Sequence, residues 1–337
     1  MALFDRYIAV DWSAHNGPKR GPDSIWIGEW GPSGPLPSRN LPTRAAAMAD
    51  LEQTLLAARA RNERILLGLD FAFGFPTGTA SVLSQPNLPL ARTLSQPTLP
   101  LVGRAGEGGD EPQLPPPLRG GAFAPVQMDR PWQSLWSLLF TLVEDTDQNL
   151  SNRFEVAEHL NRLGARFWGH PHGRSYAHLT PKKPLAPHQL PERRTVEAHL
   201  SGPQPVWKLT GVGAVGSQTL LGIARLEALR RHALLGPDIA VWPFESDFER
   251  RLDRPILLAE IYPSLFAPAP GITPRDRAQV EACVARYAGF DAAGQLGTFL
   301  AAPAGLDPAR RAIALGEEGW IAGVGQSALW QPAEAAA

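Results

Sequence analysis

ILLGLDFAFGFP, residues 65–76, is a nearly continuous apolar run interrupted by one carboxylate, Asp70. Runs of this kind belong to central strands whose sheet is covered by helices on both faces. An acid inside such a run is costly unless it is paired, hydrogen-bonded or bound to a cation. Upstream, residues 7–14 (YIAVDWSA) and 24–30 (SIWIGEW) are β-rich and are joined by HNGPKRGPD, whose Asn-Gly and Gly-Pro pairs are turn chemistry. They predict a hairpin, followed by a third strand over 36–41. Thr43 is placed to cap a helix over 44–62 that carries Met48, Leu51, Leu55 and Leu56 on one face. The chain therefore opens β-β-β-α-β.

Residues 77–131 alternate Pro, Leu, Gly, Ser and Gln without a helical or strand period and read as a long insertion. Helical spacing returns over 132–142 and 154–163, and a connection rich in His and Pro runs on to about 205. The second half predicts a short strand over 206–209, a glycine-rich turn, a helix over 217–232, strands over 239–244 and 255–261, and helices over 274–288 and 308–315. No solenoid-like repeat is present. The expected architecture is an α/β body over 1–76 and 206–337, with a mixed sheet made of a three-stranded meander and then parallel strands. Residues 77–205 form the insertion, a Pro-rich loop plus helices.

The composition, 44% hydrophobic and 19% charged over 337 residues, is that of a chain able to bury a large core. A formal charge of −1 gives no global attraction to nucleic acid, so any such binding needs a local basic patch. The single cysteine, Cys283, falls in the apolar-periodic series Val280, Cys283, Val284, Tyr287 and reads as a buried hydrophobe. One cysteine also excludes an internal disulfide or a cysteine-based zinc site. No segment reaches about 20 uninterrupted apolar residues, so the expectation is no membrane partner and a cytoplasmic location.

Asp70 is not alone in its misplacement. Asp11 closes the apolar strand YIAV, Glu260 lies inside PILLAEIYP, and Asp276 opens the helix RDRAQVEACVARYA. Acids in three separate strands predict a common site. Magnesium and manganese prefer hard oxygen ligands, and carboxylates converging from neighbouring strand ends can hold such ions and stabilise phosphoryl oxygens. Asp11, Asp70, Glu260 and Asp276 are therefore the expected metal ligands and catalytic residues. The competing structural reading makes each a helix cap or an arginine partner, and Asp276 a complement to the helix macrodipole.

With these residues in view, the chain resembles proteins of ribonuclease H-like fold: a meander opening with an aspartate in YIAVDWSA, a helix, and a strand carrying the second acid in LLGLDFAFGFP. More narrowly it is similar to a family of predicted nucleases known as domain of unknown function 429, in which a strand ending Glu-x-x-Pro precedes a helix that begins with Asp. AEIYPSLF and DRAQVEACVARYA match those elements. The resemblance covers residues 7–76 and 257–288 and implies metal-dependent phosphodiester hydrolysis. Many such helices carry a second acid three residues after the first; here that position is Gln279.

A second signal lies at Gly211, Gly213 and Gly216 in KLTGVGAVGSQTLLG, a Gly-x-Gly-x-x-Gly pattern before a helix. It admits a dinucleotide-cofactor site. A simpler reading is an anion site in which Ser217 and the amides of the helix start hold phosphate or carboxylate, with Lys208 adding charge. Arg193 and Arg194 could bring guanidinium groups to the same anion. On this reading the protein binds a nucleotide or small anion over residues 211–219 without hydrolysing it. His170, His172, His178 and His188 match no regular zinc spacing and read as loop histidines. Ten tryptophans, among them Trp12, Trp26, Trp30, Trp132, Trp136, Trp168 and Trp207, are core residues or stacking platforms for bases. The expected partner is thus nucleic acid or a small phosphorylated substrate.

Overall fold

The computed structural model describes residues 2–83, 130–249 and 253–330. Most of the Pro-rich stretch expected over 77–131 lies outside the described residues. The core is one six-stranded mixed sheet in the order β3-β2-β1-β4-β6-β5. Its strands are β1 (Arg6–Asp11), β2 (Ile25–Gly31), β3 (Gly34–Leu41), β4 (Ile65–Leu69), β5 (Ile239–Val241) and β6 (Ile256–Glu260). The first three form the antiparallel meander, and β4, β6 and β5 continue it in parallel from β1. All four parallel strands therefore end on the same edge.

The two-residue alternation of these strands divides the core. Ile8, Val10, Leu67, Leu69, Ile256 and Leu258 pack beneath α1 (Arg44–Ala60) and, later in the chain, α3 (Pro131–Leu142), α4 (Arg153–Arg162) and α5 (Gly216–Arg230). Tyr7, Ala9, Leu66, Leu257, Ala259 and Ile261 pack on the other face, against α6 (Arg275–Ala292), α7 (Leu296–Phe299) and residues 314–324. Among the described residues, the short helix α2 (Thr79–Leu83) lies between α1 and α3, and after α7 come α8 (Pro308–Ile313) and α9 (Ser327–Trp330). Thr43 caps α1 as expected, its hydroxyl accepting the Ala46 amide at 3.1 Å. No described helix is long and apolar enough to cross a membrane.

Several elements differ from their sequence expectation. β4 stops at Leu69, because Phe71, Phe73 and Phe75 leave the ladder to fill the core beside Trp136 and Trp207. Residues 206–209 form no strand: Trp168 bridges Lys208 singly, and the Trp207 indole donates to Pro191 O at 3.0 Å. α2 falls inside the stretch read as irregular. The helices of residues 130–205 are built into the body, since Trp132, Leu135, Trp136 and Leu139 share a cluster with Leu220, Ile223 and Leu226 of α5. Cys283 is buried and free, as its apolar neighbours imply.

α6 crosses the meander so closely that a Cβ on Gly28 would lie 2.7 Å from Val280 O. Gly28→Ala is accordingly expected to destabilise the fold by about 1–3 kcal/mol, the range for overpacking a tight contact. The readout is a lower urea midpoint at constant m-value; an unchanged midpoint would mean that α6 does not seat on β2 at this distance.

Candidate functional site

The carboxyl edge of the parallel strands collects the acids. Asp11 is the last residue of β1, and Asp70 follows the last residue of β4, with its amide donating to Val10 O at 3.0 Å. The ladder that pairs Val10 with Leu69 thus runs on one step, and the two aspartates stand side by side. Val10, Trp12, Leu69 and Phe71 belong to the α1/α5 face, so alternation turns Asp11 and Asp70 toward α6. Cys283 and Tyr287 of α6 feel the Asp70 charge, consistent with that direction. Asp276 sits in the first turn of α6, where it accepts the Asp23 amide at 2.6 Å.

Neither Asp11 nor Asp70 has a side-chain hydrogen bond or ion pair to any described residue, although protein encloses both and each keeps only a partly accessible surface. Burial first, then the charges of Asp70, Asp276 and Asp23, raises the Asp11 carboxyl well above the usual carboxylate range. Burial and then Glu260 push Asp70 up to about 7. This is the pattern of acids with no compensating cation.

Glu260 behaves otherwise. In the ladder it lies opposite Leu69, so its side chain leaves on the face away from Asp70. There it is buried in a bidentate pair with Arg194, at 2.6 and 2.8 Å, and accepts the Phe73 amide at 2.9 Å. The remaining Arg194 donors go to Glu197 Oε1 and Glu318 O, both at 3.0 Å. The sequence reading grouped Glu260 with the aspartates and gave Arg194 to an anion; the fold joins Glu260 and Arg194 to each other.

A cavity of about 260 Å³ opens beside this edge, lined by residues that include Asp70, Arg194, Glu260, Tyr262, Gln204 and Gly213. The rest of the glycine-rich turn is occupied with its own structure. Lys208 Nζ donates to Val212 O at 2.7 Å and Gln204 Oε1 at 3.2 Å. Gly216 admits the carbonyl of Val206, only 2.4 Å from where a Cβ would stand. The Ser217 hydroxyl donates to Leu209 O at 2.8 Å and accepts from Arg153 Nε at 3.1 Å. Gly211 lies on the exposed tip, and exposed Arg193 holds Pro203 O at 2.7 Å. Tyr262 and Gln204 were not singled out in the sequence, since one aromatic and one amide in Pro-rich surroundings carry no period or motif.

Among the described residues no group of three or more His, Cys, Asp or Glu side chains is arranged to hold a metal ion. Compared with family models, with curated proteins and with solved structures, the chain finds no match, so its own residues carry the functional argument.

Two outcomes follow from the geometry. Because Asp70 titrates higher folded than unfolded, its contribution to stability is complete below about pH 4 and is lost as pH rises through about 7. Asp70→Asn should therefore flatten the fall in melting temperature between pH 4.5 and 7.5 in metal-free buffer, and parallel profiles would show an ordinary carboxyl. Arg194→Met should cost about 3–5 kcal/mol by stranding Glu260. Adding Glu260→Gln to that variant should recover part of the loss; no recovery would mean that the pair is not the main tie.

Proposed function

We propose that this chain is a metal-dependent phosphodiester hydrolase on a ribonuclease H-like sheet, with magnesium or manganese as its cofactor. The observation that carries the reading is the pair Asp11 and Asp70, adjacent at the ends of neighbouring parallel strands and without side-chain partners among the described residues. The meander followed by parallel strands, with α6 delivering Asp276 beside the first acid, supports the same reading. Open α/β sheets bind ligands in the crevice beyond the carboxyl ends of their strands, which is where these acids and the cavity lie.

Asp11 and Asp70 would hold the cation, and Asp276 would add negative charge from the helix start. Two carboxylates fit magnesium, which commonly takes one or two from protein and completes its sphere with water and substrate phosphate. When bound, the ion supplies Lewis-acid stabilisation of charge on a phosphoryl oxygen. Glu260 acts as a positioning residue: with Arg194 it ties the segment around residue 194 to the end of β6 and so shapes the cavity wall. Tyr262, Gln204 and Gln218 line the space beside Asp70 where a sugar or base would rest.

A second reading, a nucleotide or small-anion binder that does not hydrolyse its ligand, draws on Gly213, Val215 and Gln218 lining that same cavity. A dinucleotide-cofactor enzyme has less support, because no strand leads directly into the glycine pattern: residues 200–215 are irregular.

The test is hydrolysis of a chromogenic phosphodiester and of single-stranded and duplex oligonucleotides with magnesium or manganese. Asp11→Asn and Asp70→Asn should each lower turnover at least about 100-fold. Their metal-free melting temperatures should equal or exceed wild type, since each removes a repelling charge. Undiminished turnover in both variants would overturn the assignment. Turnover absent in wild type, with nucleotide binding lost in Gly213→Val, would favour the binding protein.

A further inference from the structure

On the α1/α4/α5 face of the same edge lie three arginines, Arg44 and Arg153 buried and Arg225 partly buried, with one carboxylate, Asp145, bonded among them. Arg44, fully buried, and Arg225 share one carboxylate, Asp145, at 2.6 and 2.9 Å. Arg153 opens α4 and is 7% exposed. Its Nε donates to Ser217 Oγ at 3.1 Å, and its Nη1 donates to Asn16 Oδ1 at 2.6 Å and Ser151 Oγ at 2.9 Å. Every one of these acceptors is neutral, and Arg153 makes no ion pair with a described residue. The acids within electrostatic reach are committed elsewhere: Asp145 to Arg44 and Arg225, and Glu155 to Arg174 at 3.2 Å. Burial, then the charge of Arg44, lowers the Arg153 pKa to about 10, which leaves it cationic at neutral pH.

The Arg153 guanidinium also lies over the Phe154 ring, 4.5 Å from its centroid; a buried guanidinium held only by neutral groups is a costly arrangement, and its natural complement is an oxyanion. The surroundings suit one. Ser217 belongs to the first turn of the 15-residue α5, where the amides of Ser217 and Gln218 donate to no described residue and the helix dipole favours negative charge. Asn16 is exposed, so the guanidinium lies just beneath solvent.

We propose that Arg153, Asn16, Ser151 and the first turn of α5 bind a phosphate-type oxyanion, either a phosphate group of the substrate or free phosphate. The site stands whether or not the aspartates hydrolyse anything. It is nonetheless tied to them: the loop that follows Asp11 has its Trp12 carbonyl held by the Gln218 side chain, and its Ser13 and His15 carbonyls held by Arg44 at 3.2 and 3.0 Å. One short, clamped loop therefore runs from the acidic pair to the anion site, a layout suited to gripping a phosphate next to the one that reacts.

The experiment is thermal unfolding of the full chain in EDTA, with inorganic phosphate against sodium chloride at equal ionic strength. Phosphate is expected to raise the wild-type melting temperature by about 2 °C or more at saturating concentration. Asn16→Asp places a carboxylate on Arg153, so this variant should melt higher without phosphate and lose the phosphate shift. Arg153→Gln should lose the shift too, and if it fails to fold, Asn16→Asp carries the test. Asp11→Asn should keep the shift, which separates this site from the acidic pair. A short single-stranded oligonucleotide at equal concentration distinguishes the sources: a larger shift than phosphate assigns the site to substrate, and no larger shift assigns it to the free ion. No shift in wild type, a shift retained in Asn16→Asp, or a shift lost in Asp11→Asn would each overturn the proposal.

Discussion

A strand buried on both faces has no solvent side on which to put a carboxylate, yet β1 and β6 finish on one and β4 runs directly into one. Which face each acid takes is set by the ladder, in which Val10 stands beside Leu69 and Leu69 beside Glu260. Asp11 and Asp70 share one parity and Glu260 has the other. The consequence is a division of labour at a single edge. Glu260 finds a guanidinium and an amide and becomes a tie, whereas the charges that act on the aspartates are other acids: Asp70, Asp276 and Asp23 on Asp11, and Glu260 on Asp70. Buried arginines pair with acids elsewhere in the fold, but among the described residues none pairs with these two.

Around that edge the backbone has left the sheet, and polar clamps replace ladder hydrogen bonds. Glu318 accepts the amides of Thr77 and Thr195 at 2.8 and 2.7 Å, and Glu317 accepts those of Gly78 and Ala80 at 2.9 and 2.5 Å. Together with Arg194 they fasten the start of α2 and the segment around residue 194 to residues near the end of the chain. The cavity wall is therefore held by charges whose loss is expensive, which suits a site whose shape must persist while its acids change charge state.

Much of this was legible in the sequence. The meander, α1, α5 and α6 follow from period and capping, and the acids were conspicuous because nothing polar belongs inside YIAV or ILLGL. Their grouping was not legible, because parity depends on register, and register is a property of the paired strands rather than of one strand alone. Residues 206–209 read as a short strand, yet Trp207 turns inward to Pro191 O and Lys208 reaches Gln204 and Val212 instead of extending along a ladder. Arg153 gave no signal at all. An arginine at a helix start is ordinarily solvated, and only the folded chain shows it lying under Asn16 and Ser151 with Arg44 alongside.

Anomalous scattering from crystals soaked in manganese would show whether Asp11 and Asp70 hold a cation, as proposed. A peak within coordinating distance of both carboxylates is expected in wild type, and its loss in Asp11→Asn. Wild-type crystals with no peak there, and with the two carboxyl groups sharing a proton across a short hydrogen bond, would contradict the proposal.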